Sequence, residues 1–173
     1  MDLSLNDVKW KTFYLKELFS VKKGTRLTVI NREDGNIPFV TAGHENQGIS
    51  SYIGNKDLEI FKNAITIDMF GEAFYRDYAF CCDDNIHVLL TEKNLSKLAS
   101  LFICNIINSN SENYGYGNQF RVKSFNKQKI KLPITDSNKP NYEFMEKYME
   151  YTYFNLLNKY KEHIENKLGK LHY

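Results

Sequence analysis

Arginine is scarce in this chain. Of 23 basic residues only four are arginines (Arg26, Arg32, Arg76 and Arg121), and with 21 acidic residues the formal net charge is only +2. By segment, residues 1–55 carry +1 (7 basic, 6 acidic), residues 56–126 carry −2 (7 and 9) and residues 127–173 carry +3 (9 and 6). A long polybasic tail is therefore missing, which argues against a non-specific nucleic-acid coat; a local basic face made by folding stays open. Cysteine is sparse too. Cys81, Cys82 and Cys104 form an odd set without zinc-ligand spacing and read as buried reduced thiols. Apolar runs such as Ile86 to Leu90 fall far short of a membrane span. The start, "MDLSLNDVKWK", carries an acid at position 2 and lacks the apolar stretch of a signal peptide. A cytoplasmic protein with no membrane segment is expected.

Catalytic signatures are missing as well. "CCDDNIHVLL" brings Cys82, Asp83, Asp84 and His87 together in sequence, but on a strand Asp84 and His87 point to opposite faces, so a turn entering a buried strand is the better reading. His44 beside Glu45 could be an acid/base pair, yet no activated Ser or Cys accompanies it. A Mg-dependent nuclease needs an acid and then an acid–x–lysine pair to hold the ion and activate water. "ITIDMFGEAFYRD" supplies Asp68 and Glu72 without that lysine. A methyltransferase needs a glycine-rich cofactor loop and an Asn/Asp-Pro-Pro-aromatic motif, and neither is found. No catalytic residue, metal ligand or cofactor is expected. The enzyme alternative is a small nuclease using Asp68, Glu72 or Asp83/Asp84.

Aromatic residues, by contrast, are plentiful. With 12 Phe and 12 Tyr in 173 residues, the chain can bury a sizeable core as one domain, or one domain plus an appendage. "WKTFYLKELFSVKKGT" reads as a strand, a turn of helix and a second strand ending at Gly24. A polar turn and a compact strand over Ile37 to Thr41 follow, and "HENQGISSYIGN" reads as loop. Short β-type runs occupy Ala64 to Leu90. "NLSKLASLFICNIINS" has helical spacing, with Asn94 or Ser96 available as cap, and "KIKLPI" is a final strand. From Asn141 to Leu168 no glycine or proline interrupts a helical pattern about 40 Å long. Its stripe of Met149, Tyr153, Leu156, Leu157, Tyr160 and Ile164 either packs on its own domain or protrudes to meet a partner.

Three loops join glycine to hydrogen-bonding side chains: "VKKGTR" (21–26), "TAGHENQGIS" (41–50) and "YGYGNQFR" (114–121). Arg or Lys reads guanine, Asn or Gln reads adenine, and a Thr methyl meets the thymine methyl. Lys22, Lys23 and Lys123 suit phosphates, and Thr25, Arg26, Thr41, His44, Asn46, Gln47, Tyr116, Asn118, Gln119 and Arg121 complete the candidate DNA-binding set. Ordinary surface loops are also rich in Gly and Asn, so the pattern alone leaves that reading open.

Taken in order, "WKTFYLKELFSVKKGT", "GNIPFVTAGHENQGISSYIGN", "AITIDMFGEAFY", "DNIHVL", "YGYGNQFR" and "KIKLPITDSNKPNYEFMEKYM" resemble the target-recognition domain of type I restriction–modification specificity subunits. The resemblance runs from Trp10 to about Leu168. It implies an α+β fold: a curved, mostly antiparallel-sheet recognition domain with flanking helices over 1–138, then one long helix over 139–173. It implies no catalysis. The partners it implies are double-stranded DNA, a methyltransferase subunit and, for cleavage, a restriction/translocase subunit. Full specificity subunits of the family resemble two such domains joined by two long helices, so this chain looks like a half-subunit that forms a homodimer on a split palindromic site. The competing reading is an interaction protein that occupies a methyltransferase without reading DNA.

Overall fold

The computed structural model describes residues 3–169. Residues 1–2 and 170–173 lie outside the described residues, and with them the outer ends of the two units expected over 1–138 and 139–173.

In chain order come β1 (Trp10–Tyr14), α1 (Leu15–Leu18), β2 (Ser20–Lys23), β3 (Asp34–Val40), β4 (Ile49–Ile53), β5 (Ala64–Ile67) and β6 (Ala73–Arg76). β7 (Cys81–Cys82), β8 (His87–Leu90), α2 (Lys97–Asn108), α3 (Val122–Lys127), β9 (Lys129–Pro133) and α4 (Tyr142–Gly169) complete the α+β fold. The strands form three small sheets: β1-β9, β2-β8-β5-β6 and β4-β3-β7. All pairings are antiparallel except β3 with β7. β1 against β9, in register from Trp10 opposite Pro133 to Tyr14 opposite Lys129, ties the start of the unit to its end.

The core gathers on α2. Ser96, not Asn94, caps it, its Oγ accepting from the Ala99 amide at 3.2 Å. Ala99, Phe102, Ile103 and Ile107 then fall on one face and are buried with Phe13, Leu15, Ile67, Phe120, Leu132 and Met145. The three cysteines are buried and free. Burial pushes the Cys82 and Cys104 thiols up to about 12, so neither is a thiolate at neutral pH.

One segment departs from the expectation, and one element lies where none was read. Ile49–Ile53 is a strand rather than loop: Ile53 is fully buried and Ser50 and Tyr52 face out, an alternation hidden by Gly48 and Gly54 at its ends. Val122–Lys127 is a helix whose one buried side chain, Phe125, is too little to show a period.

The long helix divides in two. Asn141 Oδ1 accepts from the Phe144 amide at 3.0 Å, and the first turns then bury Met145 and stack Tyr148 edge-on against Phe102 at 5.9 Å. Met149, which the spacing placed on a partner-facing stripe, packs instead on this chain's own core. From Tyr153 to Leu168 the apolar residues stand exposed, with Tyr153 at 61%, Leu156 at 62% and Tyr160 at 64%. Among the described residues no helix is long and apolar enough to cross a membrane.

Candidate nucleic-acid interface

The four-stranded sheet ends in a row formed by Lys23, His87 and Ile67, paired across β2, β8 and β5. Loops leave this row on every side, and one short turn holds most of them. In the β5–β6 turn the Asp68 carboxylate is buried and accepts from the Phe70 and Glu72 amides at 2.8 and 3.0 Å. Its other oxygen accepts from the Gly43 amide at 3.2 Å, which fastens the loop over 41–48 to the turn. Gly71 has φ +79° and lies so close to the Tyr114 ring that a Cβ would come within 2.4 Å of it. The Phe120 amide donates to the Met69 carbonyl at 2.8 Å, which brings in the loop over 114–121. Asp68, weighed from the sequence as a nuclease ligand, is thus committed to backbone amides. No group of three or more metal-ligating side chains occurs among the described residues.

The 41–48 loop is braced from inside the protein. Thr41 and Gly48 close its neck with an amide–carbonyl bond of 2.8 Å, and Asn46 and Gln47 both hold positive φ, 47° and 56°. Two successive non-glycine residues in that region are strained and must be held there. Arg76 does so. Only 1% exposed, it donates to the Gln47 carbonyl at 2.7 Å, to Tyr78 Oη at 2.8 Å and to Thr66 Oγ1 at 3.1 Å. The rings of Phe74 and Phe80 lie 5.7 and 5.6 Å from its guanidinium carbon. The side chains of Asn46 and Gln47 are left facing solvent. His44, also exposed, does not work with Glu45: its Nδ1 lies 2.8 Å from Glu72 Oε2. Burial raises the Glu72 carboxyl above the usual range; the His44 charge opposes this and Asp68 adds to it.

On the other side, β2 turns at Gly24, where a Cβ would sit 2.1 Å from the Cys82 carbonyl oxygen, so only glycine fits. The Thr25 amide donates to that carbonyl at 2.9 Å, leaving Thr25 and Arg26 exposed. Arg26 lies 4.0 Å from Asp84. Lys22 and Lys23 point to opposite faces of β2. Lys22 meets Glu59 at 2.6 Å, whereas Lys23 stands beside His87. His87 is fully buried against the Phe120 ring; burial first, then the Lys23 charge, pushes its pKa down to about 4, with Arg121 adding to the effect. Lys23, the last residue of β2, is thus paired with His87, and its charge and that of Arg121 both disfavour the protonated ring.

In the third loop Tyr116, Asn118 and Arg121 are exposed and Gln119 is half-buried, its Oε1 accepting from the Arg121 guanidinium. Lys123 is exposed in the first turn of α3. The loops that the sequence singled out thus meet around one end of one sheet. What the sequence did not reveal is the hub, Asp68 to Glu72 with Tyr114 and Arg76. The available signal was an aspartate and a glycine set between two apolar strands.

Residues 7–166 match the family described as the type I restriction modification DNA specificity domain, and the chain belongs to that family. It is 34% identical over 150 residues to S.BcgI, the specificity subunit of the type II restriction enzyme BgcI from Heyndrickxia coagulans, over 84% of this chain and 44% of that protein. The S subunit of a type I restriction-modification system from M. genitalium superimposes with a TM-score of 0.62 at 20% identity, over 96% of this chain and 42% of the other. The HsdS subunit from Thermoanaerobacter tengcongensis gives 0.58 at 13%, over 91% and 38%. At such identities the two structures speak for the fold alone. The chain spans less than half the length of these relatives.

Proposed function

We propose that this chain is a non-catalytic DNA-specificity component of a restriction–modification complex. Residues 1–138 read double-stranded DNA, and the long helix α4 within residues 139–173 docks a methyltransferase subunit and a second copy of the chain. A restriction/translocase subunit joins the same assembly for cleavage. The chain works in the cytoplasm and needs no cofactor or metal of its own.

The observation that carries this reading is the convergence of Lys23, at the end of β2, with Arg26, Asn46, Gln47, Asn118, Gln119 and Arg121 on the loops at that end of a braced sheet. Such side chains supply both phosphate contacts, which position a protein on the duplex, and base-edge contacts, which specify sequence. Membership of the specificity-domain family, and 34% identity to a protein named as a specificity subunit, support the same reading.

Copurification with the cognate methyltransferase, followed by mapping of the methylated bases, tests it. The complex should methylate one motif set by this chain, and the chain alone should be inert with S-adenosylmethionine, Mg²⁺ and DNA. Methylation indifferent to the chain, or turnover by the pure chain, would sink the proposal.

A further inference from the structure

Tyr116 is the most exposed aromatic side chain at the candidate interface, at 83%. It sits at the tip of a tight hairpin closed by reciprocal bonds between Gly115 and Asn118, each 3.1 Å long. Asn118 Nδ2 donates to the Asn113 carbonyl at 2.8 Å and ties the hairpin to its own base. That base is rigid. Tyr114 donates its hydroxyl to Gln128 Oε1 at 2.7 Å and packs on Phe120, ring centroids 5.3 Å apart. Around the tip the space is open: a Cβ added at Gly115 or Gly117 would meet nothing within 4 Å.

Such a ring is unusual for a loop that works by hydrogen bonding alone. Phe70 meets it at 5.2 Å and 76°, an edge contact that covers at most one face of Tyr116. At least one face is free, on a hairpin tied to its base by the Asn118–Asn113 bond. Asn118, Gln119 and Arg121 follow it directly, so whatever base edges they reach, the ring reaches the same stretch of duplex. Every base offers a π-face, and inserted side chains unstack base steps and kink DNA.

Resting on the DNA-reading function, we propose that Tyr116 is a stacking prong: its ring inserts against an unstacked base step within the recognised site, with Phe70 steadying it from behind. The ring would then add a requirement for a deformable step, the kind of sequence preference that comes without a base-edge contact.

The test uses the complex of the full chain with its methyltransferase. Its site is first recovered by selection from random duplexes, and 2-aminopurine is then placed at each position in turn. At saturating protein the wild type should raise the fluorescence at one step. Tyr116→Phe should keep that signal; Tyr116→Ala should lose it and bind the site roughly ten- to hundred-fold more weakly, with non-specific binding unchanged. If Tyr116→Ala keeps both signal and affinity at a site the wild type reads, the prong is wrong and the DNA reading stands. If Tyr116→Ala instead loses the methyltransferase, the ring is a protein contact and the prong is again wrong. If no site is recovered with the wild type, the DNA reading itself falls.

Discussion

Lys22 and Lys23 are neighbours in sequence and opposites on the sheet, and that difference can be measured. Lys22 already faces Glu59 at 2.6 Å, whereas Lys23 stands at the end of β2, paired with His87. Lys23→Ala should weaken binding to all DNA sequences alike and lower the salt slope by about 1, with a smaller effect from Lys22→Ala. Arg121→Ala should instead lose about 1–3 kcal/mol at particular base positions, if its guanidinium reaches a guanine edge. Titrations at several salt concentrations, on specific and scrambled duplexes, separate the two kinds of contact. An Arg121→Ala protein with unchanged preference would remove that residue from the reading set. His87 makes a prediction about pH. Its pKa falls from 6.5 to about 4 on folding, so the folded state favours the neutral ring. Above pH 6.5 both states are neutral and nothing changes. Between 6.5 and 4 the unfolded chain takes up a proton that the folded chain refuses, so stability is lost as pH falls through that window, by about 3 kcal/mol in all. Denaturation midpoints of wild type and His87→Leu, followed from pH 7 to 4.5, should show a shallower acid slope in the variant. Parallel slopes would show that His87 does not set it.

Arg76 shows how an element far from solvent sets the shape of a loop. Its three hydrogen bonds span β5, the segment after β6 and the 41–48 loop, so one side chain joins the sheet to the strained Asn46–Gln47 turn. Arg76→Lys keeps the charge but cannot reach three acceptors at once. It should destabilise the fold by about 3 kcal/mol in urea titrations, since hydrogen bonds from a buried charged group are lost. If Asn46 and Gln47 read bases as proposed, it should also relax the preference at those positions. If the variant keeps wild-type stability, the loop is held by something other than Arg76. The sequence exposes the elements but not these braces. α2 and α4 are legible because their apolar residues recur at helical spacing, as in Ala99, Phe102, Ile103 and Ile107, and β1, α1 and β2 because apolar residues punctuate the chain from Trp10 to Val21. The three loops are legible because Gly, Asn, Gln and Arg cluster in them. Asp68 and Arg76 escape such reading, because a charged residue carries no mark of whether backbone amides or carbonyls await it. β4 escapes because only Ile49 and Ile53 mark its inner face, and α3 because six residues around one phenylalanine have no period. Met149 falls on the helical stripe by spacing, yet spacing cannot show where the helix leaves its own domain.

At the scale of the whole molecule the question is what covers the distal half of α4. From Thr152 to Leu168 the helix runs about 25 Å with every apolar side chain on it uncovered. Tyr153, Leu156, Leu157, Tyr160 and Ile164 recur at the three- and four-residue steps of one helical stripe, with exposures from 37% to 64%. An amphipathic stripe without a partner is an association surface, and a twofold dimer uses one such patch twice. Each Leu buried is worth roughly 1.5–3 kcal/mol, so Leu156 and Leu157, doubled by symmetry, could sustain a dimer. Antiparallel pairing of the two helices would set the two recognition ends apart and in inverted orientation. The DNA site should then be a split palindrome, with identical half-sites around an unread spacer. Sedimentation at micromolar concentration should give a dimer for the wild type and a monomer for Leu156→Asp/Leu157→Asp, with the variant still folded because these side chains make no core. The methylated motif should carry inverted symmetry. A wild-type chain that stays monomeric even with the methyltransferase bound would assign the stripe to the methyltransferase instead, and a motif without inverted symmetry would rule out the twofold arrangement.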